Sequence, residues 1–213
     1  MTKSRITGTY LILTHPTQYY NDSKSAQACM QKLADRFDPV RTIELYCTPD
    51  DGYVKHRGNK CHHLYAAVLQ KILEENVFVC CGGNWGGCHR AHVASPLVDA
   101  ARKKQKDIEL VFPLDGIFSW EENLSGQPSD ELLKDFEEFY VRLIDGKTAG
   151  ECSRYEVFVD GERLRVINNR YSPLVTVSMF RDVDRTLRHL REERKKQPLP
   201  LQILPESISS NET

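Results

Sequence analysis

The chain has 213 residues, of which 40% are hydrophobic and 28% charged, and its net charge is −1. That length suits one α/β domain with room for an appendage, and the balance fits a water-soluble globular protein. Near-neutral charge excludes a general pull toward nucleic acid or anionic membrane, and no apolar run approaches the ~20 residues of a membrane span.

The opening MTKSRITGTYLILTHP starts basic, but its apolar run Tyr10–Leu13 is too short for a signal-peptide core. Gly8–Thr14 reads instead as a first strand, ended by His15-Pro16. Asp22 or Ser23 caps a helix through Phe37, with Ala26, Cys29, Met30 and Leu33 at core spacing. Arg41–Cys47 is a second strand and Thr48–Lys60 a polar loop. Cys61–Glu75 is a helix with Leu64, Ala67, Val68 and Ile72 on one face. Val77–Cys81 is a third strand, followed by the turn Gly82–Gly87 and a helix opening near Cys88. Ile108–Phe112 is a fourth strand running into Pro113-Leu114-Asp115, and Glu131–Ile144 is a strongly apolar-striped helix. Strands alternating with helices imply a mainly parallel sheet with right-handed crossovers. The expected fold is a Rossmann-like three-layer sandwich, with its ligand crevice beyond the carboxyl ends of the strands. His15, the Thr48–Lys60 loop, the turn with Cys88, and Asp115 all follow strand ends, so they should converge on one rim.

After Gly150 the character changes. Tyr155–Asn168 alternates around Asp160-Gly161, a strong hairpin signal. Val175–Phe180 is one more strand, and Asp182–Lys196 a basic helix with the stripe Val183, Leu187, Leu190. The division expected is an α/β domain over residues 1–150, with a hairpin, helix and tail over 151–213 packed on it. That extension would serve as a homodimer contact or as a lid over the rim.

Cys88 is the leading candidate nucleophile. Four glycines in the turn let the backbone approach a ligand, and a helix start carries unpaired N–H groups and partial positive charge that stabilise a thiolate. The plain alternative is a small buried cysteine at a helix–sheet contact. Seven cysteines form an odd set without disulfide-framework spacing, so reduced thiols in the cytoplasm are expected. The turn could also cradle a phosphate, but it fits neither common fingerprint: Cys81 stands where the first glycine of G-x-G-x-x-G belongs, and no Lys-Ser/Thr follows. His15 is a base near neutral pH or a hydrogen-bonded strand end. Lys60 is a rim cation or an exposed lysine. Trp85 stacks on a flat substrate or covers the helix start. Asp115 holds a turn or orients a partner. Cys61, His62, His63, Cys88, His89 and His92 are possible metal ligands, but without a paired C-x2-C spacing no metal is expected, and no cofactor.

The order and spacing resemble the isochorismatase-like cysteine hydrolases, which include nicotinamidases. LILTHPTQYYND stands where that family has a first strand ending in D-x-Q-N-D-F. GGNWGGC, Gly82 through Cys88, matches the length of its G-x-x-T-D-x-C, and VFPLDG brings Asp115 to the place of its later D-A. The likeness covers about residues 8 to 145 by motif order. It implies that Cys88 is the nucleophile, that Trp85, Gly86, Gly87 and Cys88 supply oxyanion donors, and that Lys60, or next Lys55, is the lysine. The family's aspartate falls on His15, and Asp51, His56 and His62 echo the nicotinamidase metal loop only loosely. The resulting expectation is a hydrolase of a small-molecule amide or related C–N bond. The alternatives are an inactive relative that only binds, or a nucleotide-binding protein that uses the glycine turn.

Overall fold

The computed structural model describes residues 6, 8–16, 24–45, 59–61, 64, 66–117, 130–145, 155–160, 163–168 and 173–196. Unbroken apolar runs, rather than alternating ones, mark strands covered on both faces, and the middle of the sheet is made of such runs. In chain order the elements are β1 (Tyr10–Thr14), α1 (Lys24–Ala34), β2 (Thr42–Leu45), β3 (Asn59–Cys61), α2 (Ala66–Ile72) and β4 (Val77–Gly82). A wide helix, Trp85–Ala94, continues as α3 (Ser95–Lys104). Then come β5 (Ile108–Pro113), α4 (Asp130–Asp145), β6 (Tyr155–Asp160), β7 (Arg163–Asn168), β8 (Val175–Phe180) and α5 (Val183–Lys196).

All eight strands join one sheet in the order β3-β2-β1-β4-β5-β8-β7-β6. The first six in that order run parallel, and β7 runs opposite to them, pairing antiparallel with β8 on one side and with β6 on the other. Successive residues of a strand point to opposite faces, so the sheet feeds two cores. Ile12, Phe78, Cys80, Leu110 and Phe112 meet Leu97, Val98 and Ala101 of α3 and Phe136 and Tyr140 of α4. Leu11, Leu13, Val79, Cys81 and Val111 meet Cys29, Met30 and Leu33 of α1 and Val183, Leu187 and Leu190 of α5. Among the described residues no helix is long and apolar enough to cross a membrane.

Two expectations change. The polar loop Thr48–Lys60 ends in a short edge strand, β3, paired with β2 from Ile43↔Asn59 to Leu45↔Cys61. The residues after Gly150 do not pack on a finished domain. β8 pairs with β5 from Ile108↔Val175 to Pro113↔Phe180, and so continues the sheet itself.

Candidate functional site

The chain reverses its direction across the sheet between β1 and β4. From β1 it steps outward to β2 and β3, and from β4 it steps the other way to β5. Such a reversal opens a crevice at the carboxyl ends of the two strands, because their connections leave on opposite faces. His15 directly follows β1, and the glycine turn directly follows β4. Across this switch point His15 Nε2 lies 3.1 Å from Cys88 Sγ, although the two are 73 residues apart in sequence. His15 is 1% exposed, whereas Cys88 is half-buried and not in a disulfide. The imidazole is therefore enclosed, and the cysteine is the partner that reaches the surface.

Local geometry explains how the two meet. The His15 N–H donates to Leu45 O at 2.9 Å, which carries the β1–β2 ladder one residue past Thr14. The same residue has φ 51°, a left-handed conformation that costs a non-glycine about 1–2 kcal/mol. Gly82 and Gly83 have φ 84° and 76°. A Cβ on Gly82 would overlap Thr14 O and lie 2.7 Å from Met30 Sδ; one on Gly83 would lie 2.9 Å from Thr14 Cγ2. The missing side chains let the exit of β4 lie against the end of β1. The space these two glycines leave is filled by the protein's own atoms, not held open as a phosphate cradle.

The helix opens at Trp85, earlier than Cys88, so the cysteine sits within the first turn. The winding there is wide: the His89 N–H donates to Asn84 O at 3.1 Å and the Ser95 N–H to Arg90 O, each five residues back. Pro96 lacks an N–H, so a regular four-residue ladder cannot run through it, and Gly86 and Gly87 add little preference for tight winding. The Gly87 N–H already donates to Asn84 O at 3.2 Å, which removes it from the expected set of oxyanion donors. Gly86 stays exposed at the helix mouth.

Other site candidates fall elsewhere. Trp85 is 3% exposed, so no ring face is open for stacking on a substrate. Its indole packs edge-on against Phe136, with centroids 3.8 Å apart, and its Nε1–H donates to Asp135 Oδ2 at 2.7 Å. Asp115 Oδ2 accepts the Val183 N–H at 3.2 Å, so its carboxylate caps α5 rather than facing a substrate. Burial pushes that carboxyl up. Lys60 lies in β3 in register with Glu44, with β2 between its strand and β1. Its side chain is outside the described residues, as are Lys55, Asp51, His56 and His62. Among the described residues no group of three or more His, Cys, Asp or Glu is placed to hold a metal.

His89, weighed as a ligand, is a core residue. Its Nε2 lies 2.9 Å from Tyr140 Oη and its ring 4.6 Å from that of Phe112. Burial, helped by the Arg90 charge, brings its pKa down to about 3, so the ring stays neutral. Asp135 is a residue that sequence reasoning did not single out. It accepts both the Trp85 Nε1–H and a hydrogen bond from the Arg90 guanidinium. Its only signal is a carboxylate beside the apolar stripe of α4. Comparison with protein-family models, with curated proteins and with solved structures returns no match for this chain.

Proposed function

We propose that the chain is a cysteine-dependent hydrolase of a small-molecule amide or related C–N bond, built on a Rossmann-like three-layer sandwich of the isochorismatase-like kind. The observation that carries this is the 3.1 Å approach of His15 Nε2 to Cys88 Sγ at the switch point. Helices over both faces of a mainly parallel sheet support the fold assignment. The strained backbone of His15 supports a functional role, since such conformations persist where surroundings hold them and gather at active sites.

His15 Nε2 takes the Cys88 proton, and the thiolate attacks the amide carbon. Backbone N–H groups in the first turn, at Trp85 and Gly86, hold the developing oxyanion, where the helix also presents partial positive charge. The imidazolium returns its proton to the departing nitrogen, which leaves as an amine and leaves a thioester on Cys88. His15 then removes a proton from water, whose oxygen attacks the thioester, giving a carboxylic acid and the free thiol. No metal or cofactor enters these steps, and the thiol needs a reducing compartment such as the cytoplasm.

The test is site-resolved alkylation with iodoacetamide, followed by ammonia release from a panel of small amides. Cys88 should react ahead of the other six cysteines, with a pH midpoint well below the ordinary thiol value of about 8.5. His15→Ala should raise that midpoint, and Cys88→Ala should abolish ammonia release. An ordinary midpoint, unmoved by His15→Ala, sinks the proposal. Selective labelling without turnover of any amide points to the binding-only relative.

A further inference from the structure

Cys88 meets His15 from a helix that is wound wide, and contacts along that helix bear on its winding. In an α-helix of 3.6 residues per turn, residues five apart point about 140° away from each other. When each backbone bond closes over five residues, at roughly 4.4 residues per turn, they come to within about 50° of each other on one side of the helix. Trp85 and Arg90 are such a pair: the Arg90 guanidinium lies over the Trp85 ring, 4.3 Å from its centroid. One carboxylate then serves both, since Asp135 Oδ2 accepts the Trp85 Nε1–H at 2.7 Å and pairs with Arg90. Tightening to α winding would carry Arg90 round the helix, away from Trp85 and from Asp135. It would also rotate Cys88, between them in sequence, relative to His15.

We propose that Asp135, from α4, is a positioning residue that selects the wide winding of the Trp85–Ala94 helix by gripping Trp85 and Arg90 together, and so keeps the Cys88 thiol on His15. This rests on the His15–Cys88 reading above. The grip is reinforced by packing: the Trp85 indole meets Phe136 and Phe139 edge-on, one residue to the C-terminal side of Asp135 and one turn on. Half of the Asp135 side chain is exposed, so the link is one that substitution can cut without opening the core.

The experiment is the pH profile of Cys88 alkylation by iodoacetamide in the full chain, read by mass spectrometry, beside a urea transition for each variant. Asp135→Ala is expected to raise the midpoint by about one pH unit, which slows labelling roughly tenfold on the acid side. Asp135→Asn, which keeps an acceptor for the indole N–H but not the charge, is expected to fall between. Leu190→Ala, on the opposite face of the sheet, is expected to lower the urea midpoint and leave the alkylation midpoint unmoved. Should Asp135→Ala fail to fold, Arg90→Met cuts the same link from the other side and is expected to raise the midpoint likewise. An unshifted midpoint in Asp135→Ala, or in Arg90→Met if that variant must decide, overturns the proposal while a depressed wild-type midpoint leaves the thiol reading standing. An ordinary wild-type midpoint overturns both.

Discussion

Single residues decide whether the pair at the switch point exists. Gly82 is one: its Cα lies where any side chain would strike Thr14 O, and its φ is positive. Gly82→Ala should therefore cost about 2–4 kcal/mol, combining backbone strain with overpacking, and a urea titration should show it alongside slower Cys88 alkylation. His89 sets a pH dependence. Its folded pKa of about 3 lies below the unfolded value of 6.5, so the unfolded chain binds a proton that the folded one refuses. Stability is full above pH 6.5 and falls by about 1.4 kcal/mol per unit as the pH drops from there toward 3. His89→Phe should flatten that part of the profile relative to wild type, measured by urea midpoints at pH 6.5, 5.5 and 4.5. His15 and Cys88 were legible because each follows a predicted strand end. Trp85 was not, because an indole in a glycine turn looks free until Asp135, 50 residues on, is seen to hold its N–H.

At the scale of elements, apolar spacing located most helices and buried strands, but the helix expected over Cys61–Glu75 spans only Ala66–Ile72, with Cys61 in β3 and Ala67 exposed. The stripe Val183, Leu187 and Leu190 of α5 lies against Val111 and Phe180 as its spacing implies. Leu187→Ala should lower stability by about 2–4 kcal/mol by opening a cavity there, with the loss read from the urea midpoint. A polar link holds the same helix: Glu109 Oε1 accepts from Ser178 Oγ at 2.7 Å and lies 3.1 Å from His189 Nε2. Two elements escaped the sequence. β3 is three residues long and polar, so neither length nor period marks it. The wide winding after Asn84 has no periodicity of its own in ten residues, and a pattern of Gly, Pro and one distant carboxylate is visible only after folding.

For the molecule as a whole, the notable feature is that one sheet joins the two parts that composition separates. β8 covers β5 along its full length, so residues 1–150 without it would expose a long inner strand edge. That fragment should show no cooperative urea transition; a sharp one would mean that the first part folds alone. Apart from β3 and the wide helix, the order of strands and helices and the placement of candidate groups at strand ends were determined by sequence, because local periodicity and strand–helix alternation constrain them directly. Tertiary structure alone decided which strand ends are neighbours, that β8 rather than an open edge flanks β5, and that a sulfur and an imidazole 73 residues apart touch. Those depend on long-range pairing and on a helix wound to suit its neighbours, and no short stretch of chain encodes either by itself.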